Sequence, residues 1–317
     1  MSGPHSREGR GPKVAATPPA FCGSKILRAE LARAFPDTAY NETGRYLTES
    51  ELIEFLSDAD AALVGRDPVG ERVLRALPRL KVVAKYGVGL DNIDRQALQR
   101  RRVALCWTSG VNKRSVAELT LCFILGLCRR VFVGARELKR GQWVKDGGTS
   151  FAGKTLGIIG CGHVGKEVAR LARPFDCRIL VRDILDMPEF CRQVGAVQVE
   201  FADLIESSDI VSLHVPLTQA TRGMIDGSVL RRMKPAAYLV NTSRGAVVDQ
   251  QALKTALRER VIAGAALDVF ESEPPDDLEF LACPNLMVTP HIGGNSVEAV
   301  EAMGRAAIDQ LVKFFNC

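Results

Sequence analysis

Short apolar runs alternate with amphipathic segments through the first third of the chain. Between the apolar runs, apolar residues recur at helical spacing, as Leu27, Leu31 and Phe35 do in a helix expected over 24–35. Thr48 and Glu51 form a capping box that opens another helix. Alternation of strands and helices predicts a parallel β-sheet covered by helices. The expected strands cover residues 13–16, 61–64, 81–84 and 103–106.

A second series of the same kind starts at Lys154. We expect the last helix, over 296–314, to fold back onto the first series. The predicted fold class is therefore α/β, with two doubly wound parallel sheets. The expected strands of this series cover residues 155–160, 178–182, 196–199, 210–213, 237–241, 261–266 and 286–288.

One long helix is predicted between the two series, from about Lys113 to Arg140. It is apolar on nearly all sides between Val116 and Phe132. Such a helix has to be buried all round, in a core or against a partner. Cys122, inside this apolar stretch, is expected to be a core cysteine.

Length, composition and charge narrow the possible partners. A chain of 317 residues suits two domains, and 46% hydrophobic with 25% charged residues is typical of a globular protein. The net charge of +5 includes no run of five Lys or Arg, so no nucleic-acid partner is expected. The most apolar segment, 116–128, is too short to span a bilayer, so no membrane association is expected.

The nine cysteines include no Cys-x-x-Cys pair and no Cys/His cluster with zinc spacing. We therefore expect no metal site, reduced cysteines and a reducing, cytoplasmic location. Residues 1–12 lack the apolar stretch of a secretory signal and are expected to be a disordered tail.

A glycine-rich turn follows the first strand of the second series. Gly160, Gly162 and Gly165 form a G-x-G-x-x-G between that strand and a helix. This context predicts a dinucleotide site, in which the first glycine makes the turn and the second admits the pyrophosphate. The turn alone leaves FAD and S-adenosylmethionine open.

An acid follows the next strand, where a ribose hydroxyl would be bound. Asp183 comes 23 residues after Gly160 and would repel the 2′-phosphate of NADP, so NAD is favoured. Arg182 beside it leaves NADP as the less favoured alternative, since an arginine can accept that phosphate.

Three isolated polar residues, Arg244, Glu273 and His291, follow apolar strands in the second series. Sites in open α/β sheets form at the carboxyl ends of strands. Reduction of a 2-keto acid needs a proton on oxygen, which a histidine can supply. A carboxylate would fix the ring and favour imidazolium, and an arginine would grip the substrate carboxylate and keto oxygen. As a set they predict hydride transfer to or from a small anionic 2-keto or 2-hydroxy acid.

With these residues in place, the chain resembles the D-isomer-specific 2-hydroxyacid dehydrogenase family, which includes phosphoglycerate dehydrogenase and glyoxylate/hydroxypyruvate reductase. The resemblance covers about residues 13–315. It rests on the glycine turn and on segments 86–94, 115–120, 214–218, 241–245, 268–274 and 290–294.

The resemblance implies that Arg244, Glu273 and His291 are catalytic. It implies that the loop made of Tyr86, Gly87, Val88 and Gly89 binds the substrate carboxylate through backbone amides. It also implies a set of residues that contact NAD: Gly160, Gly162, His163, Val164, Gly165, Asp183, His214, Val215, Pro216, Leu217, Thr221, Thr242, Ser243, Arg244, Asp268, His291 and Gly294.

The resemblance further implies a Rossmann NAD-binding domain, residues 107–290, inserted into a flavodoxin-like substrate domain of residues 13–106 and 291–317. It implies a homodimer built on the NAD-binding domain. His163 departs from the residues usual at its position, and could add a pH-sensitive phosphate contact. Lys85 either points outward or favours a phosphorylated or dicarboxylic substrate.

Two other functions remain compatible with the same residues. An NAD-sensing scaffold, like the corepressors that resemble this family, would keep the three catalytic residues. Formate or phosphite oxidation is a further alternative, against which the ordinary segment of Tyr86 to Gly89 argues.

Overall fold

A computed structural model describes residues 11–316. They form two compact units, one made of the described residues up to Asn112 and from Asn295 onward, the other of Lys113–Gly294. The expected domain boundaries at 106/107 and 290/291 stay a prediction. Of the expected disordered tail, residues 1–10 lie outside the described residues.

The first unit is built on five parallel strands. Its sheet order, β2-β1-β3-β4-β5, is the doubly wound order of flavodoxin-like folds. The elements are β1 Val14–Ala16, α1 Pro19–Cys22, α2 Lys25–Ala34, β2 Thr38–Tyr40, α3 Glu49–Phe55, β3 Ala61–Val64, α4 Glu71–Ala76, β4 Val82–Lys85, α5 Arg95–Arg101 and β5 Ala104–Cys106.

Strand β3 illustrates why this sheet is covered on both faces. Ala61 and Leu63 belong to one apolar cluster, whereas Ala62 and Val64 belong to another. Side chains alternate across a strand, so a run of four buried apolar residues supplies both layers. The apolar run that predicted the strand thus also accounts for its central place in the sheet.

The second unit carries seven parallel strands in the order β12-β11-β10-β9-β6-β7-β8. Two short 3-10 turns, Arg173–Phe175 and Gly245–Val247, accompany its regular elements. These are α6 Lys113–Cys128, α7 Val131–Lys139, β6 Thr155–Ile159, α8 His163–Ala172, β7 Arg178–Arg182, α9 Pro188–Val194, β8 Ala196–Gln198, α10 Phe201–Ser207, β9 Ile210–Leu213, α11 Gly227–Arg232, β10 Tyr238–Asn241, α12 Gln250–Arg258, β11 Gly264–Leu267, α13 Leu278–Leu281 and β12 Leu286–Val288.

The chain order reverses between β6 and β9, which are hydrogen-bonded neighbours. The first half winds outward from β6 through β7 to β8, and the second from β9 to β12. Ligands in such sheets bind outside the carboxyl ends of the strands, at the point of reversal. The predicted α/β class with doubly wound parallel sheets is confirmed.

The last helix, α14 Val297–Phe315, belongs to the first unit, as expected. Ser296 caps it by accepting a hydrogen bond from the Ala299 amide. Gly304 allows close packing on α2, because a β-carbon there would lie 2.5 Å from a methyl carbon of Leu27.

The single helix expected over 113–140 is wrong. The structure has two helices, α6 and α7, because Arg130 takes the left-handed conformation at φ 52°. Half of the residues of α6 are buried, but Cys122 on it is exposed. α7 buries none of its residues, so its apolar side chains face solvent.

Two short elements near the start were not predicted. Pro18 caps α1 and Pro19 begins it, since a proline is tolerated in the first turn of a helix. β2, over Thr38–Tyr40, is only partly buried and has no apolar run to reveal it. Within residues 11–316, no helix is long and apolar enough to cross a membrane.

We predict that Gly304→Val destabilises the first unit, because the added methyl groups collide with the buried Leu27 side chain. The expected loss is about 1–3 kcal/mol in free energy of unfolding, measured by denaturant titration. Combined with Leu27→Ala, it should cost less than the sum of the two single changes. Additive losses would contradict the packing described here.

Candidate active site

The predicted site residues of the second unit follow its parallel strands. Parallel strands present their carboxyl ends along one edge, so the loops after β6, β7, β9, β10, β11 and β12 share that edge. Gly160, Asp183 and His214 follow the three strands around the reversal point, and the remaining loops carry Arg244, Glu273 and His291.

The glycine turn has the form that a dinucleotide requires. A β-carbon at Gly160 would lie 2.7 Å from the His214 carbonyl group, and one at Gly165 would collide with the Gly160 carbonyl oxygen. A β-carbon at Gly162 would meet nothing within 4 Å. The first and third positions therefore serve tight packing, whereas the second leaves open space next to the start of α8. These residues fit a pyrophosphate group at the helix N-terminus.

His163 and Val164 are the first two residues of α8, which Gly162 precedes. Among the described residues, no side chain caps this helix start. Amides in the first turn of a helix lack intrahelical partners, so an anion can receive their hydrogen bonds. His163 is thus placed beside the turn, where the sequence predicts it.

Asp183 is tied to the glycine turn through the backbone. Its Oδ2 accepts a hydrogen bond from the Cys161 amide at 2.6 Å, and its Oδ1 one from the Leu185 amide at 3.0 Å. The Arg182 guanidinium donates to the Asp183 carbonyl oxygen and lies 3.7 Å from the Glu200 carboxylate. The arginine is therefore engaged by two acceptors.

The loop after β9 begins with His214, whose ring is partly buried. Its Nε2 lies 2.9 Å from the Ser212 hydroxyl, and its solvent-shielded Nδ1 has no hydrogen-bond partner among the described residues. Burial lowers the pKa of His214 to about 3, so the imidazole is neutral at physiological pH.

Val215, Pro216 and Leu217 continue this loop. Thr221 braces it, since its hydroxyl donates to the Pro216 carbonyl at 2.6 Å and accepts from the Thr218 amide at 2.8 Å. The predicted cofactor residue Thr221 thus also shapes the loop backbone.

The turn after β10 is held from within by Asn241, which the sequence analysis did not single out. Its buried amide group donates to the Arg244 carbonyl at 2.9 Å and accepts from the Ser243 hydroxyl at 2.8 Å. The Thr120 hydroxyl of α6 donates to the Val116 carbonyl, so it accepts from Thr242 at 2.9 Å. The hydroxyl protons of Thr242 and Ser243 are therefore used inside the unit.

The glycine after Arg244 packs directly against the neighbouring loop. A β-carbon at Gly245 would collide with the backbone of Phe270 and Glu271. Without a side chain, the Arg244 segment can lie directly against the loop that leads to Glu273. The Arg244 guanidinium donates to the Ser243 carbonyl at 2.7 Å, which orients it.

Glu273 and His291 form a direct pair. Nδ1 of His291 lies 2.8 Å from Oε2 of Glu273, with side-chain exposures of 27% and 15%. The other carboxylate oxygen accepts from the Phe270 amide at 3.1 Å, which fixes the carboxylate. An ionised carboxylate only accepts, so Nδ1 carries the hydrogen and Nε2 is left for other chemistry.

The loop of His291 is held by the buried carboxylate of Asp268. It accepts hydrogen bonds from the Thr289 hydroxyl at 2.6 Å and from the amides of Ile292 and Gly293 at 2.8 Å. Burial raises the pKa of Asp268. Three donors on either side of His291 hold this residue at φ 55°, an uncommon conformation for a non-glycine residue. Gly294 ends the second unit just beyond this loop.

The predicted substrate loop lies in the first unit, directly after β4. Gly87, Val88 and Gly89 are partly exposed, whereas Tyr86 is buried, and its hydroxyl has no hydrogen-bond partner within residues 11–316. Burial raises the pKa of Tyr86 above its usual value. The loop therefore exposes its backbone rather than the tyrosine.

The expectation that Lys85 points outward is wrong. Its side chain is buried, with 6% exposure, and donates to the Gly65 carbonyl oxygen and, at 2.9 Å, to the Asn92 side chain. Asn92 also donates to the Gly65 and Asp67 carbonyl oxygens. Lys85 thus ties the end of β4 to the segment after β3. An aliphatic stem with a polar tip can be buried once the ammonium finds acceptors.

Comparison with known proteins shows the family of the chain. Residues 121–293, more than half of the chain, match the family model described as D-isomer specific 2-hydroxyacid dehydrogenase, NAD binding domain. A glyoxylate reductase of Korarchaeum cryptofilum is 41% identical over 271 residues, covering 83% of this chain and 82% of the relative. A hydroxypyruvate reductase of Thermotoga maritima is 35% identical over 277 residues, covering 86% and 90%.

A solved structure extends the likeness to the whole described chain. The D-lactate dehydrogenase from Aquifex aeolicus, complexed with NAD and lactic acid, has a TM-score of 0.83 and is 27% identical, with 96% of each chain covered. The chain belongs to the D-isomer-specific 2-hydroxyacid dehydrogenase family.

Proposed function

We propose that this oxidoreductase reduces a small 2-keto acid, of the size of glyoxylate or hydroxypyruvate, with NADH. The observation that carries the proposal is the 2.8 Å contact between His291 and Glu273, at the sheet edge that also bears the glycine turn. The names of the relatives, glyoxylate reductase and hydroxypyruvate reductase, support this size of substrate. They are enzymes, so nothing favours the scaffold alternative.

Each catalytic group has a distinct task. When the cofactor is bound, reduced nicotinamide supplies the hydride. His291 donates a proton from Nε2 to the keto oxygen, because Glu273 engages Nδ1 and leaves Nε2 for the substrate. Arg244 supplies a permanent, forked cation for the carboxylate and the developing oxyanion. Asp268 keeps the His291 loop in place and does not need to touch the reacting atoms.

The substrate carboxylate is bound by backbone amides of Gly87, Val88 and Gly89 in this proposal. Their partial exposure leaves them accessible, whereas the buried Lys85 already has acceptors. A phosphorylated or dicarboxylic substrate therefore gains no support from Lys85.

NAD is the proposed cofactor, in preference to NADP. The Asp183 carboxylate would repel a 2′-phosphate, and Arg182 is engaged by the Asp183 carbonyl and approached by Glu200. The Gly162 position, where a β-carbon would meet no neighbour, receives the pyrophosphate.

We further propose a homodimer through the NAD-binding unit. The segment 131–144 exposes large apolar side chains, which we call the α7 patch: Val131, Phe132, Leu138, Trp143 and Val144. A concentration of exposed large apolar side chains within one segment is typical of an interaction site.

We expect wild-type protein to oxidise NADH with glyoxylate or hydroxypyruvate. His291→Gln should lower kcat by about 10²–10⁴-fold, because no proton donor remains. NADH affinity, measured by fluorescence titration, should stay within about threefold, since the residue acts on the substrate. Glu273→Gln should retain more activity than His291→Gln, because the amide can still contact the ring.

The measurement is NADH absorbance over a panel of keto acids from glyoxylate to bulkier side chains. Full turnover by His291→Gln would show that the acid/base assignment is wrong. Wild-type inactivity with every keto acid would instead refute the proposed reaction.

For cofactor choice, we expect kcat/KM to be at least about tenfold higher with NADH than with NADPH, because the Asp183 carboxylate repels the like charge of a 2′-phosphate. Asp183→Asn should narrow this ratio by removing the charge. Asp186→Asn, the same change on an exposed acid three residues away, is the matched control and should leave the ratio unchanged. An unaltered ratio in Asp183→Asn would exclude Asp183 as its cause.

For assembly, we expect light scattering to give twice the chain mass for wild-type protein. Phe132→Glu should produce monomers, because a buried unpaired charge is costly in an apolar interface. Leu278→Glu, which alters an exposed apolar residue outside the α7 patch, should leave the dimer intact. If the double variant Phe132→Glu/Trp143→Glu is still a dimer, the dimer interface lies outside the α7 patch.

A further inference from the structure

A tryptophan is hydrogen-bonded to the proposed carboxylate-binding loop. Trp107 directly follows β5, which pairs in parallel with β4, and the loop directly follows Lys85 at the end of β4. The indole Nε1 donates to the carbonyl oxygen of Val88 at 3.0 Å. This bond joins the ends of two neighbouring strands.

The bonded carbonyl shares a peptide plane with the Gly89 amide. In a trans peptide the C=O of one residue and the N–H of the next point in opposite directions within one rigid plane. A hydrogen bond that fixes the Val88 carbonyl therefore also fixes the direction of the Gly89 N–H. Glycine tolerates many backbone angles, so this plane could otherwise turn over at low cost.

The Gly89 amide is available for a ligand. Among the described residues it donates to no backbone acceptor, and the residue is partly exposed. A backbone N–H that lacks a protein partner binds water or a ligand. Trp107 thus sets the direction of the Gly89 N–H group, which can donate a hydrogen bond to a bound molecule.

We propose that Trp107 is a positioning residue for substrate, which orients the Val88–Gly89 peptide so that the Gly89 amide can bind the substrate carboxylate. The inference rests on the proposed function, because it assumes that this loop receives the carboxylate. Trp107 acts through the loop and does not take part in proton or hydride transfer.

The indole ring also packs in a surface groove, so an experiment has to distinguish this packing from the hydrogen bond of the N–H. Its ring, 39% exposed, lines a shallow surface groove together with Leu90, Leu98, Val103 and Leu105. If the ring only filled this groove, phenylalanine could replace it. Trp107→Phe keeps an aromatic ring and removes the N–H donor, whereas Trp107→Leu removes both.

The kinetic test compares KM for keto acid with KM for NADH. Loss of one hydrogen bond should raise the keto-acid KM and the inhibition constant of the keto-acid analogue oxamate by about two- to tenfold in both variants. The KM for NADH, kcat at saturation and the melting temperature should stay close to wild type, because neither cofactor residues nor core packing change.

A binding test is independent of turnover. The chain has two tryptophans, so in Trp143→Phe protein Trp107 is the sole source of indole fluorescence. Oxamate should alter this emission both with and without NADH. The reason is that oxamate would bind the Val88–Gly89 peptide, to which the Trp107 indole is hydrogen-bonded. Kinetic constants of Trp107→Phe are then also compared within the Trp143→Phe background.

The outcomes separate two failures. Wild-type turnover with an unchanged keto-acid KM in Trp107→Phe refutes the inference alone. An effect in Trp107→Leu only, or equal changes in the KM of NADH or in the melting temperature, assigns Trp107 to packing and also refutes it. A wild-type protein that neither reduces keto acids nor binds oxamate refutes the proposed function and the inference together.

Discussion

Parallel pairing of the strands decides where chemistry can occur in this protein, because it places the loops after successive strands along one edge. In the second unit the loops that bear the glycine turn, Asp183, Arg244, Glu273 and His291 all follow strands of a single parallel sheet. Residues up to 131 positions apart in the chain thereby come within one row of loops. The strand order reverses between β6 and β9, and a ligand of such a sheet binds in the crevice at that point.

Carboxylates of this edge perform different tasks because their surroundings differ. Asp268 is buried and receives three hydrogen bonds, so it works as a brace for the His291 loop. Glu273 retains some exposure, and one of its oxygens is left for the imidazole. Asp183 is bound by two backbone amides and stands at the end of β7. Each role follows from the donors around the group rather than from the acid itself.

Side chains outside the proposed catalytic set fix much of the geometry around the proposed reaction. Asn241 holds the turn that carries Arg244, and the Thr120 hydroxyl accepts a hydrogen bond from the Thr242 hydroxyl. In the first unit, the buried Lys85 and Asn92 tie neighbouring strand ends together, and Trp107 holds the Val88 carbonyl. These contacts use side chains whose partners lie far away in the sequence, so their effect depends on the folded sheet.

The sequence by itself determined the α/β class, most strands, the glycine turn and the set of Arg244, Glu273 and His291, because apolar runs, glycine spacing and polar residues after strands are local signals. It did not predict the break at Arg130, since a left-handed residue leaves the apolar pattern intact. Only the tertiary structure decided that Lys85 is buried, that Asp268 braces His291 and that Trp107 bonds to Val88. Each of these depends on which donor meets which acceptor across separate loops, and such contacts leave no periodic pattern in a single chain.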